Sequence, residues 1–189
     1  MNLLFLDCET TGTEETKNGI VELAAELWIN GEKKDQFNEK FYDKTTSFVS
    51  LEALKYNGLK IKDLLGLKQE VEGVVSFCDW LLSLKVEGPI IVCGHNVPFD
   101  LKFIKMMLLK YQIMDLNSVL GYKIQDTCVL GMFLIENDKL KTDNNKTTLA
   151  ALAKGLGIDI SKYTLHSAKD DVSLTAEVYF AMGKLIKGA

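Results

Sequence analysis

The chain of 189 residues is 47% hydrophobic and 25% charged, ordinary globular usage that excludes disordered, collagen-like and low-complexity classes. One domain spanning residues 1–189 is expected at this length, with a core that needs neither disulfides nor a structural metal. A net charge of −4 with a pI near 5.3 excludes a generic basic nucleic-acid coat. All 22 of the Lys+Arg residues are lysine, which removes bidentate arginine reading of guanine edges.

In chain order, Leu3–Glu9 is a short apolar run that ends in acids and the turn-prone Thr10-Thr11-Gly12, and it reads as a central strand. Ile20–Ile29 reads as a second strand, and Gln36–Tyr42 alternates as a third, nearer an edge, after a turn at Gly31. Ser50–Tyr56 is a short helix with Ser50 as N-cap and Gly58 as its stop. Val71–Leu84 has helical apolar spacing, and Pro89 then opens a buried strand at Ile90–Cys93. Asp100–Tyr111 is a helix with Phe103, Ile104, Met107, Leu108 and Tyr111 on one face. Lys123–Asp126 is a weak strand, followed by helix Thr127–Glu136, a polar loop Asn137–Lys146, helix Thr148–Gly155 and a last helix Ala168–Lys187. These elements predict an α/β fold: a mixed five-stranded sheet with helices on both faces.

No apolar run approaches the ~20 residues of a membrane span, and Asp7 interrupts the apolar N-terminus too early for a signal peptide. A soluble, cytoplasmic protein is expected. Cys8, Cys78, Cys93 and Cys128 form no C-x-x-C pair and read as small buried hydrophobes.

Asp7 and Glu9 lie two positions apart on a strand, so both carboxylates face the same side, ~7 Å apart along it, while Cys8 faces the other way. After the apolar Leu3–Leu6 such acids are costly unless paired or bound to a cation, and a metal role fits the pair. Asp100 and Asp171 each begin a helix, where an acid is ordinary because of the helix dipole. Asp170 competes with Asp171 at this level. His166 precedes Asp171 by five residues, and the chain's two histidines, His95 and His166, each sit beside one of these acids.

The segments LDCETTG, GHNVPFDLKF and LHSAKDDVSLTAEVY, in that order, resemble the DEDDh group of DnaQ-like 3′→5′ exonucleases, typified by the proofreading parts of bacterial replicative DNA polymerases. That family carries D-x-E-T-T-G, H-N-x-x-F-D and H-x4-D, met here as Asp7/Glu9, Asp100 and His166/Asp171, and this spacing selects Asp171 over Asp170. The resemblance runs from about Leu3 to Met182. It departs at Asn57-Gly58, where the family often has histidine before glycine, and the extra tail by which proofreading subunits bind a polymerase does not follow the last helix.

The resemblance implies a ribonuclease H-like fold and two Mg²⁺ or Mn²⁺ ions held by Asp7, Glu9, Asp100 and Asp171, an oxygen-rich set that suits such hard cations. Asp7 would bridge both ions, Glu9 and Asp171 would hold the one beside the attacking water, and Asp100 would support the second. His166 would be the general base, as an imidazole suits that task near neutral pH. Thr10, Thr11 and Gly12 would meet the sugar and phosphate of the last nucleotide, with Ala53, Leu54, Asn57 and Phe99 flanking its base and ribose. For Phe99 a core position is an equal alternative.

The implied activity is 3′→5′ hydrolysis of single-stranded or frayed DNA to nucleoside 5′-monophosphates, with a DNA polymerase as a partner and no membrane. An exoribonuclease trimming RNA 3′ ends is the alternative within the same chemistry. A non-catalytic nucleic-acid-binding module is the alternative outside it, and the intact carboxylates and histidine argue against that reading.

Overall fold

A computed structural model describes residues 1–45, 48–113, 120 and 122–188. Its centre is a mixed sheet of strands β1 (Asn2–Thr10), β2 (Ile20–Ile29), β3 (Glu32–Tyr42), β4 (Lys68–Gln69), β5 (Ile90–Gly94) and β6 (Ile124–Asp126) in the order β4-β3-β2-β1-β5-β6. β1, β2 and β3 form an antiparallel meander. β5 adds to the other side of β1 in parallel, and β6 follows it in parallel.

The alternation along β1 sorts the core into two layers. Leu4, Leu6 and Cys8 point into one cluster with Val74, Phe77 and Leu81 of helix α3 (Glu70–Ser83) and Phe103, Ile104 and Met107 of helix α4 (Val97–Lys110). Leu3 and Phe5 point the other way, against Ala168, Val172 and Ala176 of the last helix, α7 (Ala168–Lys187). There Phe5 sits edge-on to Trp28 and Tyr179, with ring centroids 6.3 and 5.5 Å away, which fixes α7 across the sheet. Helices α5 (Thr127–Glu136) and α6 (Leu149–Gly155) extend the α7 layer through Leu134, Leu152 and Val178. The short helices α1 (Leu51–Tyr56) and α2 (Ile61–Leu65) close the end of the sheet with Val21, Tyr42, Leu54 and Leu64.

Six strands therefore stand where five are expected. β4 makes only two pairings, Phe41↔Lys68 and Tyr42↔Gln69, too few to leave an alternating pattern. β3 begins at Glu32, before the expected Gln36, because Glu32–Asp35 is exposed and carries no apolar alternation. α2 is also unexpected; five residues give barely one turn of periodicity. α4 begins at Val97 instead of Asp100: Asn96 takes a left-handed turn at φ 62° and Pro98 falls in the first turn, where its missing N–H costs nothing. Among the described residues, no helix is long and apolar enough to cross a membrane. All four cysteines are free, three of them buried.

Candidate active site

The three acidic segments meet at the C-terminal ends of the parallel strands β1 and β5. Asp7 and Glu9 project from the face of β1 that α7 covers, and Asp171 enters from the first turn of α7. Asp100 arrives from the first turn of α4, on the other layer, and is tied back to β1: its Oδ1 accepts from the Cys8 backbone N–H at 3.0 Å and from Cys8 Sγ at 3.1 Å. All four carboxylates line one cleft of about 1110 Å³, together with His95, Phe99 and His166.

Asp126, at the end of β6, builds the wall that holds Asp100. Its carboxylate accepts from the backbone N–H groups of Asn96 and Val97 at the start of α4, at 3.1 and 3.0 Å. It also accepts from Cys128 and Val129 at the start of α5, at 2.8 and 3.3 Å. One side chain thereby satisfies four donors that two helix starts would otherwise leave open. His95 closes the same corner, with Nδ1 2.9 Å from Thr127 Oγ1; burial, against the charge of Asp126, holds its pKa below the usual histidine value.

His166 stands in the left-handed region at φ 65°. Its backbone N–H donates to Asp171 Oδ2 at 3.0 Å, while Asp170 turns away to accept from the Thr164 N–H at 2.8 Å. The adjacent acids are thus separated by position: Asp171 faces the cleft and Asp170 stitches the loop. Among the described residues, Glu9, His166 and Asp171 bring one ligand atom each within 4.8 Å of one another. Asp7 and Asp100 stand outside that trio yet act on it electrostatically.

Burial, reinforced by the charges of Asp100, Asp171, Glu9 and Glu22, holds Asp7 well above the usual carboxylate range. Glu9 is pushed up to about 7 by burial and by Asp171, Glu22 and Asp100, with only Lys40 acting the other way among its principal neighbours. Asp100 is pushed up to about 7, because burial outweighs its hydrogen bonds from Cys8. Asp171 rises to about 6 through burial, opposed by the His166 hydrogen bond. Its Oδ1 is buried without a hydrogen-bond partner. An acidic group left in that state is costly, and a divalent cation would resolve it; the oxygen-rich donor set fits a hard ion such as Mg²⁺ or Mn²⁺.

The expected nucleotide-pocket residues divide into two groups. Thr10, Gly12, Ala53, Asn57 and Phe99 line the cleft. Gly12 is required by close approach, since a Cβ there would lie 2.5 Å from the Asn18 side chain. Asn57 Nδ2 donates to the Thr10 carbonyl at 3.0 Å, which hooks α1 onto the end of β1. Thr11 and Leu54 turn inward instead. The Thr11 hydroxyl donates to the Phe48 carbonyl and accepts from the Gly19 N–H, and Leu54 packs with Val21, Tyr42 and Leu64. Phe99 lines the cleft and also packs on Phe103, with ring centroids 4.9 Å apart.

Three residues that shape the site have no counterpart among the expected site residues. Cys8 is masked by its alternation toward the core, Asp126 by its distance in sequence from Asp100, and Glu22 by its place inside an apolar strand. The last could have been found from the strand pairing, since Glu22 lies directly opposite Glu9.

The profile of the exonuclease family (RNase_T) matches residues 4–179. The chain is 30% identical over 174 residues to a PolC-type DNA polymerase III of Clostridium perfringens, a match covering 91% of this chain and 10% of that protein. It is 29% identical over 184 residues to the DNA polymerase III subunit epsilon of Haemophilus influenzae, covering 95% of this chain and 66% of that one. The subunit epsilon of Salmonella typhimurium is 30% identical over 186 residues, with 95% and 70% covered. Escherichia coli exonuclease I, solved in complex with a dT13 oligonucleotide, superposes with a TM-score of 0.78 at 18% identity, over 98% of this chain and 41% of that chain. This chain thus spans a tenth of the PolC-type relative, 66% of the Haemophilus subunit and about two fifths of exonuclease I.

Proposed function

The chain belongs to the exonuclease family and has a ribonuclease H-like fold, and from that premise we propose that it hydrolyses single-stranded or frayed DNA from the 3′ end, releasing nucleoside 5′-monophosphates. The observation that carries the reading is the uncompensated set of four carboxylates in one cleft, with Asp171 Oδ1 buried and unpartnered. Asp7, Glu9, Asp100 and Asp171 would hold two Mg²⁺ or Mn²⁺ ions. Such a pair, when bound, activates water, polarises the phosphate and stabilises the leaving 3′ oxygen.

The chain's own residues supply the rest. His166, whose backbone is pinned by Asp171, takes the proton of the attacking water at its ring nitrogen. Gly12 makes room for the Asn18 side chain, which ties the loop beside the cleft to the Phe48 carbonyl. Ala53 and Phe99 offer apolar contact that does not depend on base identity. The DNA substrate is supported by the relatives' names and by the oligonucleotide bound to exonuclease I. The same names support work beside a DNA polymerase.

The test is digestion of 5′-labelled DNA and RNA oligonucleotides, side by side, with Mg²⁺ or Mn²⁺. A ladder shortening from the DNA 3′ end is expected. A ladder from RNA alone makes the chain an exoribonuclease, and cutting of a closed circular strand makes it an endonuclease.

A further inference from the structure

One aromatic contact in the cleft joins α1 to the loop before α7. Tyr56, the last residue of α1, is 67% exposed, yet its ring centroid lies 4.0 Å from that of His166, at 46° between planes. The two residues come from segments 110 positions apart in the chain, and each is anchored differently. Tyr56 rises from a short helix tied at both ends to the C-terminal end of β1 and the residue after it: the Ser50 N–H donates to the Thr11 carbonyl at 2.7 Å and the Asn57 side chain to the Thr10 carbonyl. His166 is held by its backbone, through Asp171. Among the described residues no hydrogen bond reaches its imidazole, and the tilted Tyr56 ring packs directly against it.

We propose that Tyr56 is a positioning residue for His166: its ring selects the imidazole orientation from which the proton of the attacking water is taken. The inference rests on His166 being the general base. It makes the docking of α1 on the end of β1 part of the catalytic geometry, although α1 contributes none of the carboxylates. An aromatic pair of this kind favours one arrangement by roughly 2- to 12-fold, and that ratio sets the effect of removing it.

Two measurements test this. With a 5′-labelled oligodeoxythymidine and Mg²⁺, Tyr56→Ala is expected to lower kcat about fivefold, within that roughly 2- to 12-fold range, at unchanged KM, and Tyr56→Phe to restore it. Added to His166→Ala, Tyr56→Ala is expected to cost nothing further, the signature of two residues acting as one unit. The second measurement needs no turnover. The chain has two histidines, so the imidazole C–H signals in an NMR spectrum are assigned by His166→Ala, and the ring-current shift of His166 should disappear in Tyr56→Ala and persist in Tyr56→Phe. An unchanged His166 signal in Tyr56→Ala, or a raised KM at constant kcat, overturns the inference. A crippled His166→Ala beside an unaffected Tyr56→Ala overturns it alone, whereas a His166→Ala of normal kcat overturns the general-base reading together with it.

Discussion

Two groups of buried and half-buried acids in this molecule are treated in opposite ways. Away from the cleft, Glu26 on β2 accepts from Trp28 Nε1 at 2.9 Å, Lys33 Nζ at 3.1 Å and the Ser173 hydroxyl. Asp43 and Glu70 share the Lys110 ammonium, and Tyr111 donates to Glu70 at 3.0 Å. At the cleft, Asp100 accepts from the Cys8 N–H and thiol and Asp171 from the His166 N–H, and among the described residues no lysine forms an ion pair with Asp7, Glu9, Asp100 or Asp171. The chain has lysines enough for both groups. The difference shows that this fold neutralises buried carboxylates where they serve packing and leaves them uncompensated in one place, the condition under which a site takes up cations.

Breaking the uncompensated group should have the largest effect. Excess EDTA is expected to reduce hydrolysis of a labelled oligonucleotide to background, with Mg²⁺ or Mn²⁺ restoring it. Asp7→Asn should abolish turnover and yet raise the melting temperature of the metal-free protein, because it removes a repelling charge. Turnover in EDTA, or an Asp7→Asn protein that melts lower, would count against the comparison.

In the neutralised group the sign reverses. Lys110→Met removes the cation that Asp43 and Glu70 share, leaving them the Thr45 and Tyr111 donors, and should cost about 1 kcal/mol in denaturant unfolding, since the lysine itself is partly exposed. Burial alone would lower the Lys110 pKa, but its hydrogen bonds to Asp43 and Glu70 hold it above the usual lysine range.

A smaller effect follows from pH. Glu9 and Asp100 at about 7, Asp171 at about 6 and Asp7 in the same direction all titrate above their unfolded values near 4. Between those values the folded chain binds more protons than the unfolded one, so these groups lower stability as pH rises from about 4 to about 7. The metal-free protein should therefore gain melting temperature as pH falls from 8 to 5, and divalent cation should close that gap at pH 8. Asp43 has the opposite slope: burial raises it, but hydrogen bonds from Lys110 and Thr45 leave it below the usual range. Its contribution is present above about 4 and is lost in stronger acid.

Finer still, Cys8→Ala removes the thiol from Asp100 and leaves the backbone donor. Calorimetric titration with Mn²⁺ should show affinity falling by up to about tenfold, the low end for a group that orients a metal ligand, and Cys8→Ser should recover most of it. The smallest effect is the control: Lys34→Ala breaks an exposed pair with Glu32 and should leave the denaturation midpoint unchanged, because solvent screens such a pair.

How much of this is legible in the sequence depends on the range of the interaction. The strand alternation that puts Asp7 and Glu9 on one face and Cys8 on the other is local, and the core clusters reproduce it. β2 at Ile20–Ile29, α5 at Thr127–Glu136 and α7 at Ala168–Lys187 have the expected boundaries, since each is a long apolar-rich run bounded by turn or polar residues. What escapes is either too short to have a period, like β4 and α2, or joins residues far apart. Cys8 and Asp100 are 92 positions apart, and Asp126 is 30 from Asn96. Neither residue carries a mark in its own neighbourhood. The inward turn of Thr11 is of the same kind, set by a carbonyl at Phe48 that lies 37 positions on.

The four hydrogen bonds of Asp126 have a consequence for how the cleft opens. A helix start held by its own cap can fray alone, but here the first amides of α4 and α5 depend on one carboxylate. Losing it at one helix frees it at the other, so the two starts form a single cooperative opening unit. The amide protons of Asn96, Val97, Cys128 and Val129 should then exchange with deuterium at one common opening free energy, although they belong to segments on opposite sides of the sheet edge. Asp100 would be released in that same event.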